Sequence, residues 1–304
     1  VPYGETEVFR FYEGPIDRAK GPDGEEGPEG RLNAWPLNEA YLDSVRGKPK
    51  SGLINKSDVA ITREALIARN ATEDEAEVTL GWHAIEFMLW GQDHSLTGPG
   101  QRPWKDFAGT SKSATRRRTF LTQVTRILVE DLQGLVAAWE PGKANYAKTF
   151  LAMPEKEVLG HIMSAMATLS GFELASERIA VALDSRSQED EHSCFSDTTH
   201  QDIWANALGI RKVYLGDKKA GFEGLHTFAM SQAPTEAKVL HALVSESTQL
   251  AKAAPNPIDQ ALIAPDGDPR RNDLERLVGL LQKQAEAFKA LGKAMHVKVL
   301  VHAE

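Results

Sequence analysis

A chain of 304 residues with 43 acidic against 35 basic side chains, a formal net charge of −8, lacks the basic face that a general polyanion binder needs, which excludes nucleic acid as the expected partner. Its 41% hydrophobic and 26% charged residues are ordinary for a folded globular protein, and the length suffices for two compact units, since single cores stop growing near about 250–300 residues. The single cysteine, Cys194, precludes an intramolecular disulfide, and no apolar run reaches the roughly 18–20 residues of a membrane span.

The start, Val1-Pro2-Tyr3-Gly4, has neither an initiator Met nor a signal-peptide pattern and reads as the beginning of a processed, soluble chain. Residues 14–30 hold five Gly and three Pro and are expected to form a surface loop. Short helices are expected near 38–46 and 62–69. Residues 79–90 read as a buried helix, because Leu80, Trp82, Ala84, Ile85, Phe87, Met88 and Leu89 make it apolar on nearly every side. Gly91 through Pro103 turns the chain. A long amphipathic helix follows over 110–140, with Phe120, Val124, Ile127, Leu128, Asp131, Leu135 and Trp139 spaced by three and four, and Pro141-Gly142 ends it. A second long helix is expected from Pro154 to about Leu183, with Glu155 and Glu157 at its positive end. Further helices are expected near 198–208, 235–252 and 271–295. Only Val297–His302 alternates weakly as a strand would. Thr79-Leu80-Gly81-Trp82 and Thr168-Leu169-Ser170-Gly171-Phe172 are faintly alike, as a duplicated helical bundle would make them.

Two places carry ligand chemistry. On a helix, His83 and Glu86 at i and i+3 share a face, so imidazole and carboxylate can converge on one metal ion. An ionised Glu86 among Ile85, Phe87, Met88, Leu89 and Trp90 needs compensation; a metal, an arginine or a backbone donor would each supply it. The zinc-peptidase patterns are absent, since the inverted His-x-x-Glu-His form requires histidine where Phe87 stands. The second place is Gly171-Phe172-Glu173-Leu174-Ala175-Ser176-Glu177-Arg178, where Glu173 and Glu177 at i, i+4 either ligate a cation or clamp Arg178. Downstream, Glu191-His192-Ser193-Cys194-Phe195-Ser196-Asp197 leads to His200 and Asp202. Here Asp197 reads as a ligand or as a helix N-cap, the run Glu189-Asp190-Glu191 as a solvated loop, and Cys194 as structural.

These separated motifs, with Pro2-Tyr3-Gly4-Glu5-Thr6-Glu7, Arg31-Leu32-Asn33-Ala34-Trp35-Pro36-Leu37 and Gly81-Trp82-His83-Ala84-Ile85-Glu86 through Leu89-Trp90-Gly91-Gln92-Asp93, make the chain resemble the imelysin-like family, which includes iron-regulated proteins of the bacterial envelope and a protein described as an insulin-cleaving membrane protease. The resemblance implies an all-α fold of two helical-bundle repeats, residues 1–140 carrying the His83/Glu86 helix and 141–304 forming the second, with the first bundle lacking its opening helix. It implies a periplasmic or outer-membrane location, a link to iron acquisition and a functional site that includes the Gly-x-His-x-x-Glu motif. The expected ligand set is His83, Glu86, Glu173, Glu177, Asp197 and His200. The expected ligand is a divalent metal ion, with iron favoured and zinc possible, or an iron-containing ligand, and an envelope protein is a further partner. Metal-dependent hydrolysis and a buried ion network with no metal are the alternatives.

Overall fold

The computed structural model describes residues 27–301, and every regular element within them is helical. The Pro2–Glu7 motif and most of the 14–30 loop lie outside the described residues. The all-α expectation holds, and Val297–Val301 forms no strand. Two compact units divide the described chain. The N-terminal unit takes the residues up to Pro141 together with Ser193–Ser196, and the C-terminal unit takes Gly142–His192 and the residues from Asp197 onward.

The N-terminal unit is built on helix α1 (Gly81–Trp90) and the longer α2 (Lys112–Trp139), with short helical turns at Glu29–Leu32, Glu39–Leu42 and Arg63–Ile67. Helix α1 starts at a glycine for a steric reason. Gly81 has φ of +85°, and a Cβ there would sit 2.5 Å from the Leu32 carbonyl oxygen. Its other end is closed by Gly91 at φ +74°, whose N–H returns to the Phe87 carbonyl at 2.7 Å. The helix buries His83, Ala84, Glu86, Phe87 and Met88 and leaves Leu89 42% exposed, so it has one outward face rather than none. The Ser111 hydroxyl caps α2 by accepting from the Ala114 N–H at 3.2 Å. Phe120, Val124, Ile127 and Leu128 form the buried stripe of α2. Cys194 and Phe195 complete this core, the Phe195 ring lying 5.2 Å from Phe87 and 5.9 Å from Trp35.

The C-terminal unit is a helical bundle of α3 (Glu155–Ser185), α4 (Thr199–Leu215), α5 (Leu225–Gln232), α6 (Pro234–Lys252) and α7 (Pro269–Ala294). Helix α3 packs on α7, α7 on α6 and α6 on α4. By length and composition α3 would pass for a membrane span, yet 61% of its apolar window is buried in the protein, as expected of a core helix. Sequence periodicity anticipates α3 as one helix. It misses that residues Leu169–Ala180 wind as a π-helix inside it. Contact with α7 is close here, because a Cβ on Gly171 would come within 2.5 Å of the Ala285 methyl. The buried Ser170 hydroxyl donates to the Leu281 carbonyl at 2.8 Å and accepts from the Gln284 amide at 3.0 Å, tying the two helices by polar contacts within the apolar packing.

One buried ion cluster holds the N-terminal unit together. Asp43 is fully buried, and Arg117 reaches both of its oxygens, at 2.7 and 2.9 Å, while Arg102 binds it at 2.8 Å. The Asp43 hydrogen bond holds the Arg117 guanidinium above its ordinary pKa against the opposing effect of burial. Removing the carboxylate would strand two buried cations. Asp43→Ala is therefore expected to cost about 3–5 kcal/mol, read as a lowered midpoint in urea unfolding, whereas the surface pair Arg63–Glu130 is expected to contribute under about 1 kcal/mol in the same assay.

Candidate functional site

Helix α1 brings His83 and Glu86 together as their spacing demands. The His83 Nδ1 lies 3.0 Å from Glu86 Oε2, and both side chains are buried. The other carboxylate oxygen, Oε1, accepts from the Ser196 backbone N–H at 2.9 Å and from its hydroxyl at 2.7 Å. Compensation of Glu86 thus comes from protein donors on both oxygens, with Ser196 as the donor that sequence reasoning missed. A carboxylate that accepts a histidine N–H fixes the tautomer and tilt of the ring. The His83 ring is further held edge-on by Trp35 at 4.8 Å. This arrangement fits a histidine positioned by a carboxylate better than two open ligands.

The π winding of α3 decides what Glu173 does. In an α-helix, residues five apart point to different sides; the wider π turn brings them near one another. Arg178 accordingly reaches back five residues to Glu173 Oε1, at 3.1 Å from Nε and 2.6 Å from Nη2, and its Nη1 donates to the Asn206 side chain at 2.7 Å. Of the two readings of this pair, the clamp on Arg178 is the one seen, made by Glu173 alone as an i, i+5 ion pair, while Glu177 is exposed. Asn206, on α4, is completely buried and gave no signal in the sequence.

Asp197 is not the N-cap of α4; that position belongs to Thr198, whose side chain makes no capping bond. Instead Asp197 is buried with φ of +54°, and its carboxylate lies within 4.8 Å of that of Asp259, which is also buried. Glu191 joins them, hydrogen-bonded to Thr199 and to Asp259. Reading 189–191 as a solvated loop therefore fails at one residue: Glu189 is exposed, while Glu191 is 1% exposed and its Oε1 has no hydrogen-bond partner. Burial, and then the charges of Asp259 and Asp197, push the Glu191 carboxyl well above the usual carboxylate range. It also lines a cavity of about 10 Å³ beside Arg178, Thr199 and Ile258. His200 is near the same segment, its Nδ1 3.1 Å from the Asp197 carbonyl oxygen, and burial lowers its pKa against the pull of that carbonyl. His192 lies 3.6 Å from Asp202. Three buried acids in one unit, all oxygen donors, fit a hard or borderline divalent cation. Asp259, an acid among Ile258, Ala261 and Leu262, belongs to no motif that the sequence singled out.

Comparison with known proteins bears on what such a site serves. The family model described as Imelysin matches residues 1–284. The chain is 24% identical over 274 residues to iron-regulated protein A of Synechococcus elongatus, an alignment covering 86% of this chain and 63% of that protein, so it spans less than two thirds of the relative's length. Its fold is similar to the crystal structure of an iron-regulated protein A precursor from Parabacteroides distasonis, with a TM-score of 0.70 at 17% identity over 95% of this chain and 79% of the other.

The raised Glu191 pKa has a stability consequence. A carboxyl whose folded pKa lies above its unfolded value binds its proton more tightly in the native state. Its contribution is then fully present below the ordinary carboxylate pKa and is lost as pH rises through the folded value. In chelator-treated protein, Glu191→Gln is expected to melt a few degrees above wild type near pH 7, with the advantage disappearing toward about pH 4. Thermal unfolding across that range checks this; parallel melting curves would remove Glu191 as the proton holder.

Proposed function

The chain belongs to the imelysin family, and from that premise we propose that it is an exported cell-envelope protein that binds a divalent cation, iron in its physiological setting, through Glu191, Asp197 and Asp259. One observation carries the reading: three buried carboxyls gather in the C-terminal unit, with the Asp197 and Asp259 oxygens within 4.8 Å and Glu191 hydrogen-bonded to Asp259. Carboxylates this close repel one another, and a divalent ion shared between them would offset that repulsion.

Oxygen donors alone would admit magnesium, calcium or manganese as readily as iron. Iron is favoured because two similar proteins are named as iron-regulated, and export because one of them is named as a precursor. His192 and His200 adjoin Glu191 and Asp197 in the chain, but His192 faces Asp202 and His200 faces the Asp197 backbone carbonyl, so the ligands on offer are the carboxyl oxygens. Within its own unit, the His83–Glu86 pair contributes a histidine held in one tautomer. The role is binding rather than hydrolysis, with the ion or an iron-containing ligand as cargo and an envelope protein as the partner that receives it.

Anaerobic titration of the chelator-treated full chain with Fe²⁺, followed by calorimetry, tests the proposal. Asp259→Asn and Asp197→Asn are each expected to weaken binding by at least about tenfold, while circular dichroism shows the helical content retained. Unchanged Fe²⁺ affinity in the Asp197→Asn/Asp259→Asn double variant would overturn it.

A further inference from the structure

A second set of ligand atoms lies in the C-terminal unit, among residues that the iron reading does not use. Tyr214 stands in the last turn of α4, His226 in the first turn of α5 and His241 in the middle of α6. The link between the first two is a hairpin that only glycines permit. Gly216 has φ of +88°, a Cβ on Gly224 would sit 2.2 Å from the Gly216 nitrogen, and Asp217 pairs with Phe222 across the turn. That closure places His226 against Tyr214.

The donor directions can be assigned in sequence. The Tyr214 hydroxyl, on a completely buried side chain, donates its single proton to the Ala237 carbonyl at 3.1 Å. Toward His226 Nδ1, 3.2 Å away, it can then only accept. His226 is therefore protonated on Nδ1 and presents a lone pair at Nε2. That nitrogen is 3.1 Å from His241 Nδ1, with the two rings nearly perpendicular at 84° and their centroids 4.6 Å apart. Two nitrogens bound to one tetrahedral ion, each at about 2.0–2.1 Å, lie about 3.3 Å apart. The two imidazoles are therefore already at the separation that a shared ion requires. In this arrangement His241 Nδ1 donates to that lone pair; His241 is exposed, so on ion binding it can take its Nε2–H tautomer, with the proton facing solvent, and turn slightly so that both lone pairs point at one ion.

We propose that His226 and His241 form a surface chelate for a borderline divalent transition metal, zinc or copper, with Tyr214 as the residue that positions His226. A histidine ligand whose second nitrogen donates to a fixed acceptor is the recurring arrangement at such sites. Neutral imidazole pairs select copper, zinc and nickel over magnesium and calcium, which separates this site chemically from the all-oxygen set of Glu191, Asp197 and Asp259. With only two protein ligands, the remaining coordination positions belong to water. The site would consequently load and release its ion readily.

The full chain in the Asp197→Asn/Asp259→Asn background, titrated with Cu²⁺ and followed by electron paramagnetic resonance, tests the assignment; a parallel Zn²⁺ titration is read by calorimetry. The expected result is one ion bound with hyperfine coupling to two imidazole nitrogens. His226→Ala or His241→Ala should lower the affinity at least about tenfold. Tyr214→Phe keeps the buried ring and removes the acceptor, and should weaken binding while leaving two nitrogens in the spectrum. His241 is exposed, so its replacement cannot act through the core. Equal affinity and an unchanged spectrum in that background with and without His226→Ala/His241→Ala would overturn the proposal.

Discussion

Charge enclosed by helical packing has to be balanced where it sits, and the chain meets that demand in different ways at different acids. Asp43 is balanced by two arginines that reach its oxygens at 2.7–2.9 Å. Glu86 is balanced by an imidazole and by both donors of Ser196. Arg178 is balanced by Glu173 and Asn206. Each of these sets makes its unit specific at the cost of desolvating several ions, and losing any one partner would leave the others exposed to the full penalty. Around Glu191 the pattern changes: burial, with the charges of Asp259 and Asp197 added to it, pushes the carboxyl toward its neutral form. The same physical demand that makes Asp43 structural makes Glu191, Asp197 and Asp259 candidates for a cation.

Backbone geometry determines which side chains are available to meet that demand. The π segment of α3 turns a residue pair five apart into neighbours, so Arg178 is drawn to Glu173. At Gly171 the absence of a Cβ lets α3 approach α7 closely enough for Ser170 and Gln284 to bond. At Gly81 it lets α1 begin against the Leu32 carbonyl, and from that start His83 and Glu86 follow on the buried side. Helix winding and glycine placement thus act on function through the positions of ionisable groups.

Much of the helical frame was legible because it rests on local periodicity. The stripe Phe120, Val124, Ile127 and Leu128, the proline start at Pro154 and the Pro141-Gly142 stop each appear in the sequence with a local cause. The pairing of His83 with Glu86 was legible for the same reason. What escaped had non-local causes. Nothing near Leu169 announces π winding, and Ser196 becomes a donor to Glu86 only because a segment 110 residues onward belongs to the same unit. Glu191 and Glu189 are chemically alike in a run of acids, and only tertiary packing buries one and exposes the other. Asp259 stood apart from every motif, since its role depends on what folds against it.

The contrast between Glu86 and Glu191 carries the functional argument further than either motif alone. Both are glutamates in apolar surroundings, yet Glu86 Oε1 takes two donors and Glu191 Oε1 takes none. A carboxylate with both oxygens engaged would have to surrender existing hydrogen bonds at each before it could bind an ion, whereas Glu191 has Oε1 unengaged and would give up its proton together with the hydrogen bond to Asp259. On that reasoning the proposed ion binding would rest on the carboxyls around Glu191, and the Gly-x-His-x-x-Glu helix would supply an oriented histidine.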